Sequence, residues 1–241
     1  MATAIEFLKA ILIGIVQGIT EWLPISSTGH MILLNDLVHL NVSDAFWEMF
    51  EVVIQLGSIL AVVVLYFSRL WPFAMKKNIA GGDLLCGVGS VGIKRQTMVL
   101  WLHVLIAAVP AGVVGVLFND WFDAHFYNPV CVSLALVVYG VLFIVVERLH
   151  RGKTFRMNAV SDIGCGTALG IGVFQMLSLI PGTSRSGSTI LGASMLSVSR
   201  PAAAEFSFFL AVPVMLGASL LKGMKFAGKV ASGAEVFGGY E

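Results

Sequence analysis

The stretch QTMVLWLHVLIAAVPAGVVGVLF, from Gln96 to Phe118, contains no formally charged side chain. As a helix, it is long enough to cross a hydrocarbon core of roughly 30 Å. A second uncharged stretch runs from Asn128 to Val146, and two more, Phe46–Phe67 and Ala203–Leu221, carry acidic residues only near their starts. The mean hydropathy is +0.89 and only 12% of residues are charged, whereas soluble proteins carry about 25%. The sequence therefore predicts a helical protein that crosses the membrane several times.

The few charges are unevenly distributed. A formal net charge of +1 leaves no basic surface for nucleic acid, so we expect no nucleic-acid partner. Lysine and arginine are concentrated in the links at residues 69–95 and 148–156, whereas the link at residues 119–128 contains aspartate but neither basic residue. Because basic links usually stay inside, the first two are predicted to be cytoplasmic and the third to face outward. The three cysteines are scattered and are interpreted as packing residues.

Two other apolar stretches, Ile5–Leu34 and Gly164–Val198, are interrupted by polar motifs. The first contains TEWLPISSTGH (Thr20–His30), and the second contains PGTSRSGST (Pro181–Thr189). Proline and glycine inside a membrane segment stop a helix, and protein or water must then satisfy the freed backbone groups. Both stretches are therefore predicted to fold back as re-entrant helical hairpins.

The two interrupted stretches resemble each other at an offset of 158 residues, the separation of Ser26 from Ser184. Without gaps, this offset aligns the following identical residues: Gly14 with Gly172, Gln17 with Gln175, Ser26 with Ser184, Gly29 with Gly187, and Ile32 with Ile190. We interpret the pattern as an internal repeat, with repeat one at about residues 1–67 and repeat two at about 163–221. Two transmembrane helices, 96–118 and 128–146, would link them within a single transmembrane domain spanning 1–241.

The distribution of charge predicts opposite orientations for the two repeats. The span at residues 46–67 must end inside, before the first basic link, so the first interrupted stretch lies on the outer side. The second stretch begins inside, after the second basic link. Inverted repeats with broken helices usually form their site where the breaks meet near the midplane. The predicted fold class is an all-α polytopic membrane protein with an inverted-topology internal repeat and two re-entrant hairpins whose tips meet.

The first motif concentrates reactive side chains. Gln17 and Glu21 are four residues apart and share a helix face, and His30 follows a hydroxyl cluster at residues 26–28. Glu21 could be a capping or packing acid at a helix break. Ionisable groups inside a membrane usually mark functional sites, however, and we therefore treat Glu21 and His30 as candidate functional residues.

The second motif places Arg185 between Ser184 and Ser186. An arginine is costly to keep inside a membrane, and its planar guanidinium suits a phosphate. The alternative is a structural ion pair with Glu21 or Glu205, although a buried ion pair contributes little net stability. A hydroxyl nucleophile, an imidazole, a carboxylate and an anion-binding arginine together favour phosphoryl transfer.

Four motifs resemble those of a known family: QGITEWLPISSTGH, FEVVIQLGSILAVVV, PGTSRSGST and AAEFSFFLAVPVMLGA. The family is that of the undecaprenyl-pyrophosphate phosphatases, the bacitracin-resistance proteins of bacterial plasma membranes, and the resemblance covers nearly the whole chain. It implies hydrolysis of the terminal phosphate of a polyprenyl pyrophosphate, which recycles the lipid carrier of peptidoglycan synthesis. It also implies a multi-pass protein of the bacterial plasma (inner) membrane.

Two departures from the family pattern affect these expectations. The family's first motif often begins with glutamate, whereas this chain has Gln17, which weakens a metal site built from two carboxylates. Members also usually continue with further apolar helix after the Ala203 span, whereas this chain ends at VFGGYE. Part of a C-terminal helix is therefore expected to be missing.

The candidate catalytic residues are Ser27, His30, Glu21 and Arg185. Ser27 would attack the terminal phosphorus, with His30 accepting its proton and Glu21 orienting the imidazole or a metal. His30 as the nucleophile is the alternative. The residues expected to bind substrate are the following: Gln17, Ser26, Thr28, Ser184, Ser186 and Thr189. Because one arginine cannot balance about three negative charges, a divalent cation, Mg²⁺ or Ca²⁺, is predicted at Glu21.

Two other classes compete with this hypothesis. An inverted-repeat transporter or flippase for an anionic solute or lipid would also use broken helices, yet it does not need Glu, His and Ser placed as an activated nucleophile. Type-2 phosphatidic-acid phosphatases need a histidine well after their SR step, and here the last histidine, His150, precedes Arg185. The partners are the lipid substrate and the bilayer, and a homodimer is one alternative for the oligomeric state.

Overall fold

The protein is mostly helical, as a computed structural model describing residues 2–126 and 128–234 shows. The helices are α1 (Ala2–Thr20), α2 (Ser27–Val38), α3 (Asp44–Val53), α4 (Gln55–Leu65), α5 (Phe67–Leu70), α6 (Arg95–Phe126), α7 (Pro129–His150), α8 (Cys165–Gln175), α9 (Arg185–Met195) and α10 (Arg200–Ala231). The strands are β1 (Phe73–Met75), β2 (Leu84–Val88) and β3 (Val91–Lys94). Short 3-10 turns lie at Lys76–Asn78, Val160–Asp162 and Met176–Leu179.

The described residues include four helical segments that are long and apolar enough to cross a membrane: Asp44–Leu65, Arg95–Phe118, Val130–His150 and Arg200–Ala231. They coincide with the four stretches that the sequence predicted to be spans. The prediction of a helical membrane protein is confirmed. The C-terminal residues VFGGYE, on which the expectation of a missing helix depended, lie outside the described residues.

The two polar motifs interrupt helices in the same way. Between α1 and α2 the chain turns through Pro24, and between α8 and α9 it turns through Pro181 and Gly182, which has a φ of 88°. The new helix in each case is capped by a serine. Ser26 accepts from the Gly29 N–H at 3.2 Å; its counterpart 158 residues later, Ser184, accepts from the Gly187 N–H at 3.0 Å. Side-chain capping satisfies backbone donors that a helix start would leave without partners.

The core that holds the second break lies between α6, α8 and α10. It is built from fully buried apolar side chains, among them Val104, Ile171, Phe206, Phe209 and Leu210. A Cβ added to Gly172 on α8 would collide with the Ala107 carbonyl of α6, so glycine is what allows these two backbones to touch.

Helix α7 runs beside both breaks. A Cβ added to Gly29 would lie 3.5 Å from the Leu136 side chain, and one added to Gly182 would lie 2.6 Å from the Val132 carbonyl oxygen. One turn further along α7, Tyr139 accepts a hydrogen bond from Ser188 at 3.1 Å. One face of a membrane-spanning helix therefore supports the starts of both α2 and α9.

A three-stranded antiparallel sheet of order β1–β3–β2 connects the helical segment ending at Leu70 to α6. The sequence analysis treated this segment only as a basic link and missed the sheet. The local signals were present, because apolar runs of three to five residues are separated by Gly81–Gly82 and by Gly89, whose φ is 59°. Such glycine-marked turns are typical of short hairpins. All three cysteines are free. Cys86 and Cys165 are exposed and Cys131 is partly buried, so the interpretation of all three as packing residues does not hold for the two exposed ones.

Candidate active site

Glu21, in the turn that follows α1, connects the two polar motifs. Its side chain is 7% exposed. One carboxylate oxygen accepts from Ser27 Oγ at 2.6 Å and from Gln17 Nε2 at 3.2 Å. The other accepts from Arg185 Nη2 at 3.1 Å. A single carboxylate therefore contacts the hydroxyl of the first motif and the guanidinium of the second.

Arg185 is the first residue of α9, and its guanidinium reaches toward α10 as well as toward Glu21. Its Nη1 donates to the Ser207 carbonyl oxygen at 3.2 Å. Its Nε is buried and has no hydrogen-bond partner among the described residues. Because every guanidinium N–H is a donor, this side chain is held in place while donors remain for an anion. The alternative partner Glu205 instead pairs with Arg69.

Ser26 and Ser27 form the sharp entry into α2. Ser26 has a φ of 63°, a conformation that is uncommon outside glycine and costs of order 1–3 kcal/mol. Its side chain caps the helix, and Ser27 is the first helical residue. The strained turn thus places the Ser27 hydroxyl at a helix N-terminus, against the Glu21 carboxylate.

Among the described residues, the hydrogen-bond partner of the His30 ring is the backbone of Ser26 rather than the Ser27 hydroxyl. Its Nδ1 lies 2.8 Å from the Ser26 carbonyl oxygen. Since a carbonyl oxygen only accepts, Nδ1 carries a proton, and in a neutral imidazole Nε2 is then the nitrogen with the lone pair. In the described part of the chain the Glu21 carboxylate hydrogen-bonds Ser27 and Arg185 rather than His30, and its role in orienting the imidazole or a metal stays a prediction.

The remaining predicted substrate-binding residues differ in their surroundings. Ser184 and Ser186 are buried at the start of α9, with their hydroxyls 3.2 Å apart. The Thr189 hydroxyl donates within its own helix and lies 2.7 Å from Ser207 Oγ, so it braces α9 against α10. Thr28 is half-buried and makes no hydrogen bond with its side chain in the described part of the chain.

Three polar residues near the site were missed by the sequence analysis. Ser58 of α4 donates to Gln17 Oε1 at 3.0 Å and so orients the amide that donates to Glu21. Ser207 supports Arg185, and Tyr139 contacts Ser188. A lone hydroxyl in an apolar span was the available signal, but it does not identify its partner.

The electrostatics of the site favour an anion. The opposite charges of Glu21 and Arg185 compensate each other. Helix α2, of 12 residues, begins at Ser27, and helix α9, of 11 residues, begins at Arg185. Helix N-termini carry partial positive charge and free N–H groups. An anion that displaced Glu21 from Arg185 would therefore meet donors from both motifs.

Glu21 is the candidate ligand for a divalent cation. In the parts of the chain that the structure describes, no three His, Cys, Asp or Glu side chains converge. Glu21 offers a carboxylate, whereas the Gln17 amide oxygen is occupied by Ser58. Magnesium commonly takes one or two protein carboxylates and completes its shell with water and substrate phosphate. The residues therefore fit a cation that arrives with a phosphate ligand.

The fold and the site define a helical membrane protein with a buried polar centre suited to an anion. The chain belongs to the family of the bacitracin resistance protein BacA, whose family model matches residues 10–238. This confirms the resemblance seen in the sequence motifs.

Curated relatives are similar over most of their length. The chain is 54% identical over 222 residues to an undecaprenyl-diphosphatase of Enterococcus faecalis, covering 92% of this chain and 77% of the relative. It is 54% identical, with the same coverage, to one of Acetivibrio thermocellus. It is 52% identical over 223 residues to one of Desulfitobacterium hafniense, covering 92% of this chain and 76% of that protein.

Glu21→Gln should destabilise the protein strongly. It leaves the Arg185 charge buried without a counter-charge, which costs about 3–5 kcal/mol. The double variant Glu21→Gln/Arg185→Gln should recover part of this loss, because both charges are then removed. The measurement is the free energy of unfolding in detergent.

The matched control is Glu147→Gln, which breaks an ion pair with Arg200 whose side chains are 51% and 56% exposed. An exposed pair contributes about 0–1 kcal/mol. Equal losses for Glu21→Gln and Glu147→Gln would show that the Glu21–Arg185 pair does not hold the two motifs together.

Proposed function

We propose that this chain is an undecaprenyl-diphosphatase, a membrane phosphatase that hydrolyses undecaprenyl pyrophosphate to the monophosphate and inorganic phosphate. The family match and the names of the curated relatives support this function. They also support its roles in cell-wall synthesis and bacitracin resistance. The transporter alternative gains no support from these relatives.

The observation that carries the proposal is the double contact of Glu21. Its carboxylate accepts from Ser27 Oγ at 2.6 Å and from Arg185 at 3.1 Å. A hydroxyl with a base beside it, next to an anion-binding guanidinium, is the arrangement that nucleophilic attack on phosphorus requires. A solute pathway has no need for a carboxylate hydrogen-bonded to a serine.

Substrate binding would begin with exchange of partners at Arg185. The terminal phosphate would take the guanidinium from Glu21 by a bidentate contact, and the free Nε–H is a further donor. Ser184 and Ser186 would donate from the start of α9. Other contacts are assigned to the remaining predicted binding residues: Gln17, Ser26, Thr28 and Thr189.

The chemical step would use Ser27 as the nucleophile. Its Oγ would form a bond to the terminal phosphorus while the bridging P–O bond breaks, with the electron pair leaving on the undecaprenyl monophosphate. Glu21, released from Arg185, would accept the Ser27 proton. Water would then attack the phosphoserine, releasing inorganic phosphate and returning a proton to Oγ.

His30 has two roles open to it in this scheme. In a neutral imidazole the lone pair would be on Nε2, because Nδ1 donates to the Ser26 carbonyl. As a base it would help to remove the Ser27 proton or activate the water. The alternative is that Nε2 itself attacks phosphorus and that Ser27 is only a ligand. The short contact of Ser27 with Glu21 supports Ser27 as the nucleophile.

A divalent cation, Mg²⁺ or Ca²⁺, is proposed to accompany the substrate. Glu21 would hold it together with pyrophosphate oxygens, and when bound it supplies charge neutralisation for the phosphates. Gln17 in place of a second carboxylate is consistent with a cation bound mainly by the substrate.

We also propose that the protein contains two inverted repeats, each with a re-entrant hairpin. The equal offset of the two serine caps supports two repeats. Their inverted topology is inferred from the distribution of charge, and the re-entrant hairpins are inferred from the proline and glycine breaks. The bacterial plasma membrane is the proposed location, because undecaprenyl pyrophosphate is a membrane lipid of cell-wall synthesis. A homodimer stays a prediction.

Purified protein should release inorganic phosphate from undecaprenyl pyrophosphate. A chelator should lower turnover, and added Mg²⁺ or Ca²⁺ should restore it. The measurement is phosphate release with chelator and with metal. Turnover that chelator does not change would contradict the role of the cation but not the phosphatase activity. The absence of phosphate release with metal supplied would contradict the proposed function itself.

Ser27→Ala should lose nearly all turnover while still binding substrate through Arg185. Removing a nucleophile costs several orders of magnitude in rate. Ser58→Ala is the matched control, because it removes one hydrogen bond to Gln17 and should cost about 0.5–1.5 kcal/mol. His30→Gln should be nearly inactive in either mechanism.

Acid quench during turnover separates the two nucleophiles. Phosphoserine is stable to acid, whereas phosphohistidine is labile. A phosphoenzyme that is lost in acid but survives an alkaline quench would assign the attack to His30. A Ser27→Ala variant that keeps a tenth of normal activity (a loss of about 1.4 kcal/mol) would exclude Ser27 as the nucleophile.

Arg185→Lys keeps the charge but loses the planar fork, so kcat/KM should still fall by an order of magnitude or more. Arg200→Lys, in the exposed pair with Glu147, is the control and should retain normal turnover. Near-normal turnover of Arg185→Lys would show that Arg185 acts only as the ion-pair partner of Glu21 and does not bind the phosphate through its planar fork.

A further inference from the structure

The three-stranded sheet lies close to the end of the membrane-spanning region. Strand β1 begins at Phe73, shortly after α5 ends at Leu70, and β3 ends at Lys94, immediately before α6 begins. Strands of three to five residues are about 10–17 Å long. Because both ends of the sheet are joined to apolar helical segments, the sheet cannot lie far from the membrane surface.

One face of the sheet is entirely apolar. The register pairs Phe73 with Ile93, Met75 with Val91, Cys86 with Ile93 and Val88 with Val91. Side chains alternate between faces along a strand, so the following six side chains share one face: Phe73, Met75, Cys86, Val88, Val91 and Ile93. We call this the apolar sheet face. Val88 is 91% exposed.

The opposite face is covered by residues of the same segment. A Cβ added to Gly87 would lie 2.5 Å from Lys76 Cε, and one added to Gly92 would lie 2.8 Å from Ile79 Cδ1 and 2.6 Å from Leu84 Cδ1. The Lys76 stem and two apolar side chains therefore lie across the glycines. Five of the six side chains of the apolar sheet face are exposed, whereas on the opposite face Gly92 is buried and Leu84 is 41% exposed.

The apolar sheet face continues the apolar surface of the preceding span. The rings of Phe67 and Trp71 are 5.4 Å apart, and those of Trp71 and Phe73 are 5.6 Å apart. About half of the surface of each of the three residues is exposed, and Leu65 at the end of the span is 77% exposed. Aromatic side chains of this kind are typical of the membrane–water interface.

Basic side chains surround the same segment. Residues 69–95 contain five basic residues, Arg69, Lys76, Lys77, Lys94 and Arg95, and one acidic residue, Asp83. The Asp83 side chain accepts from the Gln96 backbone N–H at 2.7 Å. Clusters of lysine and arginine next to a membrane span attract anionic lipid head groups.

We propose that the apolar sheet face inserts into the interfacial layer of the bilayer and that Lys76, Lys77 and Arg95 contact anionic phospholipid head groups. The other two basic residues have partners within the protein, since Arg69 pairs with Glu205 and Lys94 donates to the Ser68 carbonyl oxygen. The sheet is then an anchor that holds the link between α5 and α6 on the membrane surface. A second copy of the chain is the other candidate occupant. Three short strands present a footprint of only about 200 Å², whereas a stable interface buries about 800 Å² on each partner.

The first test compares the depth of spin labels on the two faces of β2 in lipid vesicles. Val88→Cys, on the apolar sheet face, and Leu84→Cys, on the opposite face, are each made in a background with Cys86→Ser, Cys131→Ala and Cys165→Ala. We expect the label at position 88 to be severalfold more accessible to oxygen than to a water-soluble nickel complex. The label at position 84 should show the opposite ratio.

Two outcomes of this measurement would overturn the proposal. Equal accessibility of positions 84 and 88 to the nickel complex would place the apolar sheet face in water. Dipolar broadening at position 88 that increases with the protein-to-lipid ratio would show that a second copy covers it.

The second test addresses charge, with a label on the native Cys86 in a background with Cys131→Ala and Cys165→Ala. Val88→Asp should raise the accessibility of this label to the nickel complex severalfold, whereas Ser90→Asp, the same charge placed in the turn, should not. The label should also lie deeper in vesicles that contain phosphatidylglycerol than in phosphatidylcholine alone, and Lys76→Gln/Lys77→Gln should reduce this difference. Equal depth in both vesicle types would overturn the contact with anionic head groups, and equal effects of the two aspartates would overturn insertion.

Discussion

A carboxylate and a guanidinium buried within apolar helices can persist only if each compensates the other, and the contact between Glu21 and Arg185 meets this condition. An isolated charge at such a place costs several kcal/mol of desolvation. The two residues are 164 positions apart, so their contact requires the turn after α1 and the start of α9 to meet. Ser207, Gln17 and Ser58 then orient the pair. The packing of α4 and α10 around the motifs brings these orienting residues next to the ion pair.

The same contact would allow the site to be stable without substrate and reactive once substrate has bound. Without substrate, Arg185 neutralises Glu21. In the proposed reaction a phosphate takes over the guanidinium, and the released carboxylate becomes a stronger proton acceptor for Ser27. Charge balance is then supplied by the substrate, its accompanying cation and two helix N-termini. In this scheme the Glu21 carboxylate would become available as a base only when an anionic substrate replaces it at Arg185.

Local features of the chain were predictable, and contacts between distant segments were less so. The four spans, the interruption at each polar motif and the residues that gather there follow from hydropathy, proline, glycine and capping serines, which act over a few residues. Sequence alone did not predict that His30 Nδ1 would hydrogen-bond the Ser26 carbonyl, because this contact depends on the turn at Ser26, where φ is 63°. The small sheet was missed because its strands are too short to show alternation and its lysines suggested an unstructured link.

The sequence by itself determined that the protein lies in a lipid environment, that it is mostly helical, and where two of its helices stop. These properties depend on transfer free energies and backbone chemistry within a short stretch of the chain. Tertiary structure alone decided which acid Arg185 binds. Glu21 and Glu205 are equivalent as charges in the sequence, and neighbouring residues cannot distinguish them. The packing of α9 against α10 aims the guanidinium at Glu21 and leaves Glu205 to Arg69. That choice, made by helix packing across most of the chain, is what brings the serine, the carboxylate and the arginine to one point.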